Sequence, residues 1–375
     1  MSSRAGESVA IKLTGDAASA IAVIEISGPE VQPWIERHWS PNSGIRTLDI
    51  NAIRYGSIEH FDTTDSETAF AESVILCRTG PDQFELHCHG GELASQSILT
   101  KLASEGFHIQ PSSTWIREHS EDEFSAEATQ ALLKAKTTQT ARILLDQQRG
   151  ALSNAVATIE QAISSGDFTT AKSKIQELRN WGQLGLHLLT PFQVLLCGPP
   201  NVGKSSLMNR ILGYQRAIVH EQAGTTRDLL EEETSFSGWP VKLLDSAGVR
   251  VAENKIEQQG IERTLAASDR VDLQWILVDP QQGWTPSHQS LWDRKPDNSI
   301  VVVTKSDLAS QREFYPPVAT WISISAITGE GIGSLLEQTV GCLVREVPFP
   351  GTAVPFLDRH LQRLDTLERT LNNSR

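Results

Sequence analysis

The chain has 375 residues, 39% of them hydrophobic, and its 33 Lys and Arg against 46 Asp and Glu give a formal net charge of −13. This length indicates two or three domains with a sizeable buried core, and the negative charge argues against a non-specific grip on nucleic acid phosphates. The four cysteines have no paired metal-binding spacing, and no apolar run is long enough for a signal or a membrane span. These observations predict a cytoplasmic protein that has no membrane partner.

The first 111 residues have the pattern of a small α+β domain. Short alternating apolar runs, such as the one through Phe84 and Cys88, predict strands, and a helical pattern covers Glu92–Ser104. His87 and His89 share one face of the last strand and are therefore a candidate metal pair. No third ligand is spaced to complete that site, so we favour the interpretation in which the following Gly-Gly ends the strand.

Residues 112–190 and 345–375 carry helical patterns on either side of a segment with a different pattern. In the first part, Leu152 and Val156 belong to one apolar stripe, and a Ser-Ser-Gly-Asp turn separates it from a second stripe. Helices that flank an inserted segment usually pack together. We therefore predict one α-helical domain into which residues 191–344 are inserted.

The inserted segment opens with a phosphate-binding motif. Gly-Pro-Pro-Asn-Val-Gly-Lys-Ser, residues 198–205, directly follows the apolar run Phe192–Cys197, as a glycine-rich loop does at a strand-to-helix junction. In such loops the lysine, here Lys204, reaches the β- and γ-phosphates, and the Ser205 hydroxyl ligates Mg2+. The chain is therefore predicted to bind a nucleoside triphosphate through Asn201, Val202, Gly203, Lys204, Ser205 and Ser206.

Four later motifs follow or end apolar runs, two of which are residues 241–244 and 300–303, and this places them at the carboxyl edge of a parallel α/β sheet. They are residues 224–228 (Gly-Thr-Thr-Arg-Asp), 245–248 (Asp-Ser-Ala-Gly), 304–307 (Thr-Lys-Ser-Asp) and 325–326 (Ser-Ala), and their order and spacing are typical of a P-loop GTPase. Thr226 offers a second hydroxyl to Mg2+, Asp245 holds the ion through water, and the Gly248 N–H contacts the γ-phosphate. Lys204, Thr226 and Gly248 are therefore the candidate catalytic groups.

The motif at residues 304–307 predicts guanine as the base. One carboxylate, that of Asp307, accepts both the N1–H and the N2–H₂ donors of guanine, while the Lys305 stem lies over the ring. Thr304 stands where Asn is usual, and because its hydroxyl makes fewer hydrogen bonds, we expect weaker base affinity with specificity retained. The remaining predicted nucleotide contacts are Thr225, Ser246, Ala247, Ser306, Ser325 and Ala326.

On these motifs the chain resembles the bacterial tRNA modification GTPases of the MnmE/TrmE type over nearly its whole length. The resemblance is strongest over residues 193–263, where Gly-Ile-Glu-Arg at 260–263 completes the family's order of motifs. It implies a folate-binding N-terminal domain, a GTPase domain inserted into a helical domain, and a homodimer. It also implies that GTP hydrolysis to GDP serves modification of the tRNA wobble uridine, with an FAD-dependent partner of the MnmG/GidA type. The expected ligands then include a tetrahydrofolate derivative and tRNA.

The resemblance further implies activation by K+, held by Asn201, by Thr225 and by carbonyl groups near His220 and Gln222. A monovalent cation beside the phosphates acts as a built-in arginine finger. Val249 agrees with this expectation, because it stands where other GTPases have a water-orienting Gln and it has no polar group.

Three departures from the family pattern change what we expect of hydrolysis, folate binding and tRNA modification. Val251 stands where the family has a catalytic Glu, and Glu253 is the nearest acid, so we expect slow hydrolysis. Residues 15–19 lack the family's glycine-rich early loop, which weakens the expectation of folate binding. The terminal Cys-x-Gly-Lys is missing and the net charge of −13 disfavours unaided tRNA binding, so we expect that the chain alone does not support the tRNA chemistry. No other thiol is expected to replace the terminal cysteine. The four cysteines of the chain lie in apolar runs or strands, where a thiol is usually buried and inert: Cys77, Cys88, Cys197 and Cys342.

Two other functions stay open at this point. One is a degenerate relative that binds GTP as a switch with little hydrolysis, which a measured turnover separates from an active GTPase. The other is a ribosome-assembly GTPase, a class that shares the Asn-bearing phosphate loop. Such a protein would need an appended RNA-binding module, and the sequence contains no basic GXXG-type segment.

Overall fold

The computed structural model describes residues 6–14, 19–42, 44, 48–61, 69–216, 231–246, 265–308 and 314–373. The chain forms two compact units, residues 1–134 and 135–375. Residues 112–134 thus belong to the first unit, whereas the division into 1–111, 112–190, 191–344 and 345–375 stays a prediction. No helix among the described residues is long and apolar enough to cross a membrane.

The described residues of the first unit form one sheet and four helices. Its strands are β1 (Val9–Lys12), β2 (Ile21–Ser27), β3 (Trp39–Pro41), β4 (Ile53–Phe61), β5 (Ala69–Gly80), β6 (Gln83–His89) and β7 (His108–Ile109). Its helices are α1 (Val31–His38), α2 (Glu92–Ser104), α3 (Ser112–Glu118) and α4 (Glu123–Leu132). The seven strands lie in the order β3-β4-β5-β6-β2-β1-β7, and all neighbours are antiparallel except β1 and β7.

Alternation along the strands separates the core face of this sheet from the other face. Ile24 and Ile26 of β2 are fully buried and belong to one apolar cluster with Trp34 of α1 and Leu102 of α2. Glu25, between them, points to the opposite face. The predicted strand through residues 84–88 is β6 and the predicted helix is α2, so both predictions are confirmed.

The second unit begins and ends with helices and has a sheet between them. The elements in chain order are α5 (Thr138–Gln148), α6 (Ala151–Ser164), α7 (Phe168–Leu186), β8 (Phe192–Cys197), α8 (Lys204–Arg216), β9 (Glu231–Phe236), β10 (Trp239–Asp245), β11 (Leu273–Val278), α9 (Pro286–Arg294), β12 (Ser299–Val303), β13 (Ile322–Ser323), α10 (Ile332–Leu343) and α11 (Asp358–Asn373). Side chains fix two helix starts, because Thr137 and Asp167 accept the N–H groups of Thr140 and Thr170.

Within the described ranges of the second unit, six strands form a mostly parallel sheet in the order β13-β12-β11-β8-β10-β9. Only β9 is antiparallel to its neighbour, β10. A parallel strand is covered on both faces and is therefore a continuous apolar run, and all six residues of β11 are buried. The runs predicted at residues 192–197, 241–244 and 300–303 are confirmed as β8, β10 and β12. Their carboxyl ends lie at one edge of the sheet.

Helix α11 packs against α7 through a close approach and two ion pairs. Gly182 leaves room for Leu361, since a Cβ at Gly182 would lie 2.6 Å from Leu361 Cδ2. Arg179 Nη2 lies 2.6 Å from Asp365 Oδ1 and 2.7 Å from Glu368 Oε2. These contacts join a helix that precedes the sheet in the chain to the helix that follows it.

Gln147 fixes the segment that leads into α11. Its side chain is fully buried, and its Nε2 donates to the Thr352 carbonyl at 3.0 Å while its Oε1 accepts the Val354 N–H at 3.0 Å. Asp146 Oδ2 accepts the neighbouring Gly351 N–H at 2.9 Å. Since buried polar groups need partners, this amide satisfies backbone groups that no regular element pairs.

The expectation that all four thiols are buried is wrong for Cys342. Cys88 and Cys197 are buried and Cys77 is half-buried, but Cys342 is exposed. Within α10, burial ends at Thr339, and Cys342 lies in the last turn of the helix. An apolar run in the sequence therefore does not ensure burial at its end.

Candidate nucleotide-binding site

The phosphate-binding motif forms the loop between β8 and α8. Gly198, Asn201 and Gly203 have positive φ values of 150°, 61° and 106°, a region that glycine adopts without steric penalty and Asn more readily than most residues. A Cβ at Gly198 would lie 2.8 Å from the carbonyl oxygen of Leu277. The first loop position therefore requires glycine both for its backbone conformation and for its close approach to β11.

Lys204 begins α8 and its side chain turns back over the loop. The residue is 7% exposed, and its Nζ donates to the carbonyl oxygens of Gly198 and Pro199, both at 2.9 Å. These bonds keep the ammonium group beside the loop backbone. A lysine ammonium there supplies a point charge for phosphate oxygens.

Ser205, in the first turn of α8, lies next to Asp245 at the end of β10. Ser205 Oγ donates to Asp245 Oδ2 at 3.3 Å, and Asp245 is 2% exposed at the end of β10. Hydroxyl and carboxylate oxygens are ligands that Mg2+ prefers, either directly or through water. The pair therefore fits a Mg2+ site, and a bound ion would neutralise charge on the β- and γ-phosphates. Ser246, the next residue, is also buried.

A cavity of about 240 Å³ lies beside the phosphate loop, and Asp307 supplies the carboxylate in its wall. Ser325 Oγ donates to Asp307 Oδ1 at 2.6 Å and accepts the N–H groups of Ile327 and Thr328 at 3.2 and 3.1 Å. The carboxylate is therefore oriented by a loop whose own backbone is fixed. The cavity is lined by Val202, Gly203, Ser206, Leu207, Thr304, Lys305, Asp307, Leu308, Ile324, Ala326 and Ile327.

Thr304 joins the phosphate loop to the end of β12. Its side chain is buried, and its Oγ1 donates to the Val202 carbonyl at 2.9 Å and lies 3.3 Å from the Val278 carbonyl. A hydroxyl has a single proton, and here backbone carbonyls occupy it. Thr304 therefore ties the loops together and has no second donor group for a base, unlike an amide.

Two contacts of the site were missed by the sequence analysis. Arg210 Nη2 of α8 donates to the Thr328 carbonyl at 3.1 Å, which braces the loop that carries Ser325. Lys305 Nζ lies 2.7 Å from Oδ2 of Asp279, a residue that is 2% exposed. Asp279 directly follows β11, and that position at a strand end is the signal that would have identified it. No comparable signal exists for Arg210, because 118 residues separate it from its partner.

Several predicted site residues lie outside the residues that the structure describes. Among the predicted catalytic groups only Lys204 is described, and among the predicted K+ ligands only Asn201, which is exposed. The residues outside the described ranges are Thr225, Thr226, Ala247 and Gly248 of the nucleotide contacts, His220 and Gln222 of the K+ site, and Val249, Val251 and Glu253 of the hydrolysis argument.

The other candidates from the sequence take part in ordinary side-chain contacts. His87 Nε2 lies 2.9 Å from Glu85 Oε2, and His89 Nδ1 lies 2.6 Å from Glu72 Oε1. In the part of the chain that the structure describes, no group of three or more His, Cys, Asp or Glu side chains is arranged to hold a metal ion.

Cys197 adjoins the phosphate loop, but burial raises the pKa of its thiol to about 12. That thiol stays protonated and inert.

Two protein-family models match successive parts of the chain. The model of the GTP-binding protein TrmE N-terminus matches residues 9–142. The model of the 50S ribosome-binding GTPase matches residues 193–305. The second range includes the phosphate loop and the Ser205–Asp245 pair, and it ends beside the base cavity.

Curated relatives named tRNA modification GTPase MnmE match most of the chain. The one from Synechocystis sp. is 30% identical and covers 84% of this chain and 76% of its own length. Two from strains of Synechococcus sp. are 31% and 28% identical, covering 85% and 94% of this chain and 77% and 84% of their own lengths. A crystal structure of Aquifex aeolicus Era bound to GDP.AlF4- is 26% identical and covers 42% of this chain and 59% of its own, with a TM-score of 0.32. The identity and coverage of the curated relatives show that this chain belongs to the family of tRNA modification GTPases MnmE and is a GTP-hydrolysing enzyme that uses Mg2+.

Proposed function

We propose that this chain binds and hydrolyses GTP in the service of tRNA wobble-uridine modification, together with an FAD-dependent partner of the MnmG/GidA type. One observation carries the nucleotide part of this proposal. Asp245 ends β10, the phosphate loop with Lys204 follows β8, and the Asp307 cavity follows β12. Because β8 lies between β10 and β12, the sheet edge carries metal, phosphate and base positions in that order, which suits a nucleotide with its Mg2+. Support for the tRNA part comes from the family membership.

Asp307 is the group that selects guanine. The hydrogen bond from Ser325 holds its carboxylate in the cavity wall, where the two donors of guanine pair with it. Adenine has no donor pair on that edge, and a base that covers the carboxylate without donating to it leaves the carboxylate unsatisfied. An amide in its place would present an N–H₂ group to the guanine donors and would instead suit xanthine, which has a carbonyl at that position.

The Asp307→Asn variant tests this assignment in the full chain. We expect the affinity for GDP to fall about 10- to 100-fold and the affinity for xanthosine diphosphate to rise, measured by calorimetric titration. Asp293→Asn, on the exposed side of α9, is the matched control and should leave both affinities unchanged. If Asp307→Asn bound GDP as tightly as the parent and ignored xanthosine diphosphate, guanine recognition would have to lie elsewhere.

A K+ ion beside Asn201 supplies charge that the protein side chains do not. The left-handed conformation of Asn201 at the exposed part of the phosphate loop supports this role, since its amide oxygen is a ligand type that K+ accepts. The resemblance to the family adds Thr225 and the carbonyls near His220 and Gln222 as further ligands. The same resemblance supports a homodimer in which two GTPase domains meet.

The finer architecture follows the family pattern. Residues 191–344 form a GTPase domain inserted into a helical domain of residues 112–190 and 345–375, after an N-terminal domain of residues 1–111 that binds a tetrahydrofolate derivative. The α7–α11 contacts and the Gln147 hydrogen bonds support the insertion, because they connect a segment that precedes the sheet in the sequence to one that follows it. Equilibrium dialysis of tetrahydrofolate against the full chain tests the folate part.

A GTP-dependent switch with slow turnover is the second candidate. The observation that favours it is Val251, which replaces the acid that positions water in the family. Steady-state turnover of GTP by the purified chain separates a slow switch from an efficient GTPase.

A further inference from the structure

Asp279 is a buried carboxylate that the nucleotide chemistry described so far does not use. It directly follows β11, is 2% exposed, and does not line the base cavity. Its Oδ1 accepts the Gln281 N–H at 2.9 Å, and its own carbonyl accepts the N–H groups of Gln282 and Gly283 at 3.0 Å. The turn after β11 therefore holds this carboxylate in one position.

The partner of Asp279 is the lysine of the base cavity. Lys305 Nζ lies 2.7 Å from Asp279 Oδ2, and the Lys305 side chain, 34% exposed, lines the cavity. Lys305 has a φ of 60°, a left-handed conformation in which a non-glycine residue is uncommon. The Thr304 N–H donates to the Val278 carbonyl at 2.9 Å, so the ends of β11 and β12 are already joined beside this ion pair.

We propose that Asp279 is a positioning residue for base recognition, which acts by anchoring the ammonium group of Lys305 so that the lysine stem forms one wall of the cavity. A free lysine stem samples many rotamers and loses that freedom when a base binds against it. An anchored stem has already lost this rotamer freedom before the ligand binds, and preorganisation of this kind increases affinity. The inference rests on the proposed function, in which the cavity receives guanine.

The anchor acts on the base and not on the phosphates. Lys305 lies in the cavity with Asp307, whereas the phosphate loop is held by its own backbone and by Lys204. Loss of the anchor should therefore weaken GDP and GTP binding by the same factor. It should leave the rate of hydrolysis at saturating GTP unchanged.

The experiment uses the full chain and the variants Asp279→Asn, Lys305→Met and the double variant. Asn keeps the acceptor for the Gln281 N–H and removes the charge, and Met keeps an unbranched stem without the ammonium group. Asp269→Asn is the control for loss of an ion pair elsewhere, because Asp269 does not line the cavity. Its carboxylate accepts two hydrogen bonds from Arg294, at 2.7 and 2.6 Å, in an exposed pair. Calorimetric titration with Mg2+ and GDP gives affinity, steady-state kinetics with GTP give KM and kcat, and thermal unfolding reports folding.

We expect Asp279→Asn to lose about tenfold in GDP affinity and to raise KM by a similar factor at unchanged kcat. Lys305→Met should show a similar loss, and the double variant should lose no more than either single variant, because both changes break one contact. Asp269→Asn should bind like the parent.

Several results would overturn the proposal. Parental affinity in Asp279→Asn would do so, and so would additive losses in the double variant, which would show that Asp279 acts independently of Lys305. If Asp279→Asn did not fold, the double variant, which leaves no unpaired charge, would replace it, and parental affinity there would be decisive against the anchor. A parent chain that binds no GDP would instead refute the proposed function, which keeps the two failures distinguishable.

Discussion

The two ends of the nucleotide site are built in different ways. At the phosphate end the loop organises itself, because Gly198 and Gly203 allow its backbone conformation and Lys204 bonds to carbonyls five and six residues away. At the base end, residues distant in sequence hold each wall group. Ser325 holds Asp307, and Asp279 holds Lys305. Local construction makes the phosphate end sensitive to a single backbone change.

Distributed construction has the opposite consequence for the base end. Its hydrogen bonds and its ion pair join the phosphate loop, the ends of β11 and β12, and the loop after β13. One substitution therefore removes one of these contacts and leaves the others. Thr304 illustrates this tolerance, since a hydroxyl replaces the usual amide and still bonds to the Val202 carbonyl. We therefore expect large effects from changes at the phosphate end and graded effects at the base end.

The largest expected effect concerns water activation at the phosphate end. Valine can neither orient water nor accept a proton, and a positioned general base contributes about 10²–10⁴-fold. Val251→Glu should therefore accelerate GTP hydrolysis in a single-turnover assay by a factor in that range, with little change in GDP affinity. The comparison would need revision if Val251→Glu gave no gain and Glu253→Ala gave a large loss, since the acid would then act from Glu253.

The K+ proposal predicts the next largest effect. Turnover of the parent should be at least about tenfold higher in K+ than in Na+, because a cation beside the phosphates does the work of an arginine finger. Asn201→Ala should abolish the difference and leave Mg2+ and GDP binding nearly intact. Equal turnover in the two salts by the parent chain would remove K+ from the site.

A single methyl group in the phosphate loop tests how sensitive the phosphate end is to one backbone change. Gly198→Ala places a Cβ 2.8 Å from the Leu277 carbonyl at a φ of 150°. Strain of this kind costs about 1–3 kcal/mol, so GDP affinity should fall about 5- to 100-fold in calorimetric titration. Gly213→Ala is the matched control in α8, because a Cβ there meets nothing within 4 Å. Equal affinities of the two variants would show that the loop adapts.

The parts of the fold and of the site that depend on neighbours in the chain could be predicted from the sequence, whereas those that depend on distant residues could not. The phosphate loop, β8, β10 and β12 were predicted because each depends on neighbours in the chain, through a continuous apolar run or a short motif. β9 was not predicted, because three successive glutamates break the apolar pattern of an edge strand whose first and third residues are exposed.

The ties that complete the site, and the one that fixes the segment before α11, could not be predicted, because their partners meet only in the folded chain. Arg210 and Thr328, Lys305 and Asp279, and Gln147 with Thr352 are paired across 118, 26 and 205 residues. Nothing in the local pattern of either partner specifies the other. The base identity was still predicted from residues 304–307, since the carboxylate itself is part of a local motif.

The smallest expected effect is a pH dependence of stability from His288, which braces the strand end that both parts of the site share. His288 is buried on α9, its Nε2 lies 3.2 Å from the Leu277 carbonyl, and its Nδ1 accepts the Thr285 N–H at 3.0 Å. Both contacts fit the neutral ring with the proton on Nε2, because a protonated Nδ1 would face the Thr285 donor.

Burial lowers the pKa of His288 from its ordinary value of 6.5, and its bond to the Leu277 carbonyl opposes this shift only in part. The unfolded chain therefore binds this proton at a higher pH than the folded chain does. Stability from the neutral ring is fully present above pH 6.5 and falls as pH drops from there toward the folded-state pKa, by at most about 1.4 kcal/mol per pH unit. Urea unfolding between pH 7.5 and 5.5 should show this slope in the parent and in the exposed-residue control His119→Gln. It should be shallower in His288→Gln, and an unchanged slope in that variant would assign the pH dependence to other groups.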